Sequence, residues 1–89
     1  MINIYLPYRL GQQIEHHDPI AVSATTIKTA LQQLLRQYPQ LDSSIWVDAR
    51  TQQLTGYTQL FVNQQQVTDL DAQLQAGDQL HLVQAMAGG

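Results

Sequence analysis

One stretch of the chain repeats its apolar residues with a helical period over several turns, the strongest periodic signal in the sequence. Ile27, Ala30, Leu31, Leu34, Leu35 and Tyr38 recur at spacings of three and four, which gathers their side chains into one stripe on a helix. The outward positions, Lys28, Gln32, Gln33, Arg36 and Gln37, are mostly good helix formers, and Arg36 falls in the last turn, where a cation complements the dipole. Thr25 or Thr26 can cap the start, and Pro39 stops the helix. The spacing predicts a helix over about residues 25–38. Such a stripe has to be laid on something, and 89 residues hold only one core.

The flanking segments supply that partner. Ile2-Asn3-Ile4-Tyr5-Leu6 alternates with period two and reads as a strand. Pro7 cannot donate a ladder hydrogen bond and Gly11 permits positive φ, so residues 7–13 read as a hairpin turn, with Pro19 to Ser23 as the return strand and Ile20 and Val22 facing inward. Residues 40–57 read as an irregular connection anchored by Ile45, Trp46 and Val47, with Gly56 as punctuation. Thr58 to Asn63 is a strand with Leu60 and Val62 on one face and Phe61 on the other; Asn63 to Gln66 suits a turn, and Val67 starts a short return. Leu70 and Leu74, four apart, suit a single short helical turn, broken by Gly77-Asp78. Gln79 to Gln84 is the last strand, with Leu80 and Leu82 inward. One helix across a mixed sheet, with the first and last strands as neighbours, is a two-layer α+β arrangement, the single β-grasp domain. Residues 1–84 form that domain, and 85–89 a mobile tail of small residues ending in Gly88-Gly89.

Composition narrows the function. Charged residues make up only 12% of the chain against ~25% in ordinary globular proteins, and sixteen glutamines supply the missing polarity. The net charge is −3, and the cations Arg9, Lys28, Arg36 and Arg50 are scattered, which argues against nucleic acid. There is no cysteine, hence no disulfide framework or thiol nucleophile. No apolar run approaches a membrane span, and the N-terminal residues lack the pattern of a secretory signal, so the expected location is the cytoplasm.

Catalytic constellations are thin. Ser23, Ser43 and Ser44 lack elbow glycines, and no glycine-rich phosphate loop exists. Glu15-His16-His17-Asp18 is the one dense cluster of metal-ligating side chains, but adjacent histidines in a strand-like segment diverge, and nothing else offers the remaining ligands of a zinc site. It reads as a solvated loop, with no metal and no cofactor bound by the chain. His81 reads as an outward-facing residue, not a base. The tail differs: a free carboxylate on a thin arm of small residues is an activatable group, and glycine has no side chain to obstruct a narrow partner cleft.

Leu60-Phe61-Val62-Asn63, Val67, Leu74-Gln75-Ala76-Gly77-Asp78-Gln79-Leu80 and Gln84-Ala85-Met86-Ala87-Gly88-Gly89 together resemble the signature of the ubiquitin-like sulfur carriers of the MoaD/ThiS family, with its VN turn, its GD before the last strand and its AxAGG-like end. The resemblance implies a carrier, not an enzyme, whose Gly89 carboxylate, at the end of the Ala87-Gly88 tail, is adenylated with ATP by an E1-like adenylyltransferase/sulfurtransferase. Conversion to a thiocarboxylate and donation of the sulfur to a biosynthetic enzyme follow. Leu6-Pro7-Tyr8-Arg9-Leu10-Gly11 lacks the Glu that follows Arg in molybdopterin synthase small subunits, and the long 40–57 connection resembles the carriers that serve cysteine or natural-product synthesis. Gln84 stands where many relatives have proline, implying a less stiff root for the tail.

The sheet face opposite the helix offers Tyr5, Phe61, His81 and Val83 as a docking surface for the activating enzyme or the sulfur acceptor, out of phase with Ile4, Leu60, Leu80 and Leu82. The free protein is expected to be a monomer. Besides the sulfur carrier, two functions compete: a protein modifier conjugated through Gly89, and a non-covalent interaction module. The small subunit of molybdopterin synthase remains the alternative pathway assignment.

Overall fold

The computed structural model describes residues 1–48 and 53–84. In chain order the elements are β1 (Ile2–Tyr5), α1 (Tyr8–Gln13), β2 (Ile20–Val22), α2 (Ile27–Gln37), a 3-10 turn (Pro39–Leu41), α3 (Asp42–Ile45), β3 (Trp46–Asp48), β4 (Gln53–Leu54), β5 (Thr58–Val62), β6 (Gln65–Val67) and β7 (Gln79–Gln84). Five strands form one sheet in the order β2-β1-β7-β5-β6, and β3 with β4 forms a separate ribbon. The central pairing, β1 with β7, is parallel, and the other pairings are antiparallel. This is the mixed sheet of a β-grasp domain, with α2 packed on it.

The inner face is built from alternate strand residues, as the pleat demands. Ile2, Ile4, Ile20, Val22, Leu60, Leu80 and Leu82 are buried and meet Ile27, Ala30, Leu31 and Leu34 of α2 in one cluster. Leu35 and Tyr38 pack against its edge. The helix start is more elaborate than a lone cap. Thr26 Oγ1 accepts from Thr29 N–H at 3.2 Å, and Thr29 Oγ1 accepts from Thr26 N–H at 3.1 Å, a capping box with threonine in place of the usual Glu or Gln.

Four expected local structures differ. Residues 8–13 form α1 instead of a turn: Pro7 occupies the cap position with extended backbone, and burying Leu10 makes the helical turn the favoured shape. Residues 39–48 and 53–54 are a 3-10 turn, a short helix and the β3–β4 ribbon, not an irregular connection; Leu41, Ile45 and Trp46 are buried in the main core. The hairpin turn is only Asn63-Gln64, both at positive φ (49° and 77°), as a two-residue type I′ turn requires, so Val67 ends the return strand instead of starting it.

Residues 70–74 form no helical turn, because their carbonyls are engaged elsewhere. Leu70 O accepts from Lys28 N–H at 2.8 Å and Ala72 O from Ile27 N–H at 3.2 Å, satisfying two of the donors a helix start leaves open. Leu74 is nonetheless buried, tied by its N–H to Thr25 O at 2.7 Å. Leu34, fully buried at the centre of the stripe, tests the packing: Leu34→Ala should lower unfolding stability by about 2–5 kcal/mol in urea titration.

Candidate functional site

Strand alternation turns Tyr5, Phe61, His81 and Val83 away from α2, and pairing register decides which of them meet. His81 is the partner of Tyr5 on one side and of Phe61 on the other, so the three rings form one row across β1, β7 and β5. The Tyr5 and His81 rings are stacked, with centroids 4.4 Å apart and planes 9° from parallel. Val83, two residues further along β7, is 41% exposed and pairs with Gln59, in the next row. Asn3, Ala21, Gln59, Gln66 and Gln79 complete the face, and no strand of the main sheet carries Lys, Arg, Asp or Glu. The surface is aromatic and amide-lined.

Where β7 ends, Gln84 is clamped. Its Nε2 donates to the Ser44 carbonyl at 2.8 Å and to Thr58 Oγ1 at 3.2 Å, and the Thr58 hydroxyl is in turn hydrogen-bonded to that of Thr55. Thr55 and Thr58 are buried, so these hydroxyls have exchanged water for one another. The looser root expected from the lack of proline therefore does not extend to residue 84. Beside it lies a small hollow of about 50 Å³ lined by Arg9, Leu10, Gln13, Ser44, Tyr57 and Gln84. Ala87, Gly88 and Gly89, the expected tail and sulfur-attachment residues, lie outside the described residues.

Asn63 and Asp78 act on each other. Asn63 Nδ2 donates to Asp78 Oδ1 at 2.9 Å, Gln79 N–H donates to Asn63 Oδ1 at 3.0 Å, and Gln75 N–H donates to Asp78 Oδ2 at 2.8 Å. Gly77, at φ +90°, supplies the left-handed backbone that brings Asp78 round to this position. The Gln75 N–H, and after it the Asn63 amide, hold the Asp78 carboxyl below the usual carboxylate range, against a small opposing effect of desolvation.

In the 15–18 loop the two imidazoles diverge. His17 stacks on Tyr8 with centroids 5.6 Å apart, whereas His16 lies 6.3 Å from the Tyr38 ring. Among the described residues no three His, Cys, Asp or Glu side chains stand close enough to hold a metal ion. Gly11 is not at positive φ; a Cβ there would lie 2.9 Å from the His16 carbonyl oxygen, so glycine is required for close approach.

The model of the ThiS family matches residues 10–89. The chain belongs to the ThiS family. Its fold is similar to the crystal structure of the Amycolatopsis orientalis BexX/CysO complex (17% identity, TM-score 0.86, all of both chains). It is also similar to the small archaeal modifier protein 1 from Methanosarcina acetivorans (18% identity, TM-score 0.84, 99% of this chain and 95% of that one). A third likeness is to the complex of subunits 1 and 2 of molybdopterin-converting factor from Helicobacter pylori (16% identity, TM-score 0.63, 99% and 97%). No curated protein matches the sequence. No described helix is long and apolar enough to cross a membrane.

In this ThiS-family chain the VN and GD residues hold the start of β7 to the β5–β6 hairpin. Sequence reasoning missed that Thr55, Thr58, Ser44 and Gln84 form the clamp at the end of β7. Thr55 and Thr58 flank the Gly56 turn, a visible pattern, but only folding brings Ser44 to them. Because the Asp78 pKa is lowered on folding, its contribution to stability is fully present above the unfolded value of about 3.9 and is lost as pH falls through the folded value. The gap in thermal midpoint between the parent and Asp78→Asn should therefore be widest near neutrality and narrow below about pH 4.

Proposed function

We propose that the chain is a sulfur carrier. The Gly89 carboxylate attacks the α-phosphorus of ATP within an activating enzyme and releases pyrophosphate. A sulfide-equivalent nucleophile then attacks the acyl carbon, AMP leaves, and a thiocarboxylate remains for donation to a biosynthetic enzyme. Activation is needed because an oxide is a very poor leaving group from a carboxylate. The carrier contributes shape and reach, and ATP belongs to its partner.

The observation that carries this reading is the ThiS-family match, which runs through β7 and all the tail residues to Gly89. The outer row of Tyr5, His81 and Phe61, with Val83 beside it, is the proposed docking face for the activating enzyme or the acceptor. The BexX/CysO and molybdopterin-converting-factor structures are complexes with a second protein, which supports a protein partner here. The proposed carrier is cytoplasmic and is a monomer when free of its partners.

Intact mass measurement after incubation with ATP, an activating enzyme and a sulfur source should show one oxygen replaced by sulfur. Conjugates to other proteins would instead identify a modifier, and an unchanged mass would refute the carrier. Deleting Gly89 shortens the arm by about 3.3–3.6 Å, and sulfur loading should fall about 10²-fold or more, because in-line attack tolerates little displacement. Gly88→Val should obstruct the partner cleft and cut loading similarly. Both variants should melt like the parent, since the changes lie beyond β7. Phe61→Asp should keep the fold and lower the adenylation rate at least about tenfold; parental rates of both adenylation and sulfur transfer would rule the outer row out as the docking face.

A further inference from the structure

The loop that offered no metal site forms a different kind of hollow. At the β2 side of the outer row, Tyr5, Pro7, Tyr8, His16, His17 and Asp18 are among the residues enclosing about 230 Å³. Four rings are among its walls, those of Tyr5, Tyr8, His16 and His17, and Tyr8 and His17 are stacked on each other. Tyr5 serves two surfaces, because the same ring stacks on His81 in the outer row. A protein seated on that row therefore reaches the hollow without a gap. The volume falls below the ~300–1,000 Å³ of typical small-molecule sites, which suits one side chain better than a free ligand.

We propose that this hollow receives an arginine side chain of the protein that docks on the outer row, an inference that rests on the docking reading above. Asp18 is the one charged side chain among the lining residues, and the chain as a whole carries −3. An apolar occupant would take the Asp18 carboxylate out of water with nothing to replace it. A cation replaces that water, and the ring faces of Tyr5 and Tyr8 attract positive charge. Arginine fits better than lysine because a planar guanidinium lies flat on a ring while its edge N–H groups donate to a carboxylate in a fork. The Tyr8 ring, 70% exposed, is then left open for a partner to cover.

The test is a two-dimensional NMR titration of the full chain with N-acetyl-arginine amide, set against the neutral isostere N-acetyl-citrulline amide. The arginine probe should give saturable shifts centred on Tyr5, Tyr8 and His17, and the citrulline probe should not saturate at the same concentrations. Asp18→Asn should weaken arginine binding about fivefold or more, and Tyr8→Leu should weaken it too. Asp18 and Tyr8 are exposed, and unchanged backbone spectra elsewhere would verify that both variants fold. Equal binding of citrulline, an absence of localised shifts, or full affinity in Asp18→Asn would overturn the proposal. Neither ATP nor an activating enzyme enters the titration, so failure of the carrier reading and failure of the arginine site are seen in separate experiments.

Discussion

The parallel pairing of β1 with β7 is the interaction on which the rest of the domain depends. It joins the first strand of the chain to the last, so the elements between them must either lie over the sheet, as α2 does, or add strands on the two flanks of this pair. The pairing is reinforced where it begins: Asn3 N–H donates to Asp78 O at 3.1 Å and Gly77 N–H to Met1 O at 2.9 Å. With β5 on its other flank, β7 is interior and has both backbone edges satisfied. Leu80 and Leu82 then point into the core against α2, and their burial makes β7 the centre of the hydrophobic layer. Gln84 thus ends a strand in the middle of the sheet, held there by its hydrogen bonds to Ser44 and Thr58.

The same strand organises the other face. Once Leu80 and Leu82 face inward, His81 and Val83 must face outward, and the register then sets His81 between Tyr5 and Phe61. Because the five strands carry no formally charged residue, this face has little long-range field to steer an approaching partner. On the docking role proposed for this face, recognition rests on ring contact and amide hydrogen bonds at short range. A formal charge stands at the rim, where Asp18 borders the ring-lined hollow. The glutamine-rich composition takes a definite place here: amides keep the outer face wet, and the rings supply much of its apolar area.

Much of this was legible in the residues. The α2 stripe carries its own period, so the helix, its buried face and its stop at Pro39 could be read directly, as could the inward and outward phases of β5 and β7. Errors arose where local pattern was ambiguous. Pro7 and Gly11 look like turn punctuation, yet Gly11 is there for the approach of the His16 carbonyl, a contact made by residues beyond the helix. Leu70 and Leu74 have helical spacing, but the open N–H groups of α2 compete for the carbonyls of Leu70 and Ala72 and win.

The sequence by itself determined the elements whose periodicity is intrinsic, the phase of each strand, and the VN and GD residues that carry the family resemblance. Only the tertiary structure decided that Asn63 and Asp78 bind each other, that Gln84 is clamped to Ser44 and Thr58, and that Tyr5 stacks on His81. The reason is physical: periodicity arises from neighbours in the chain, whereas these hydrogen bonds and the ring stack join residues 15, 40, 26 and 76 positions apart, and their partners are chosen by strand register and not by local sequence.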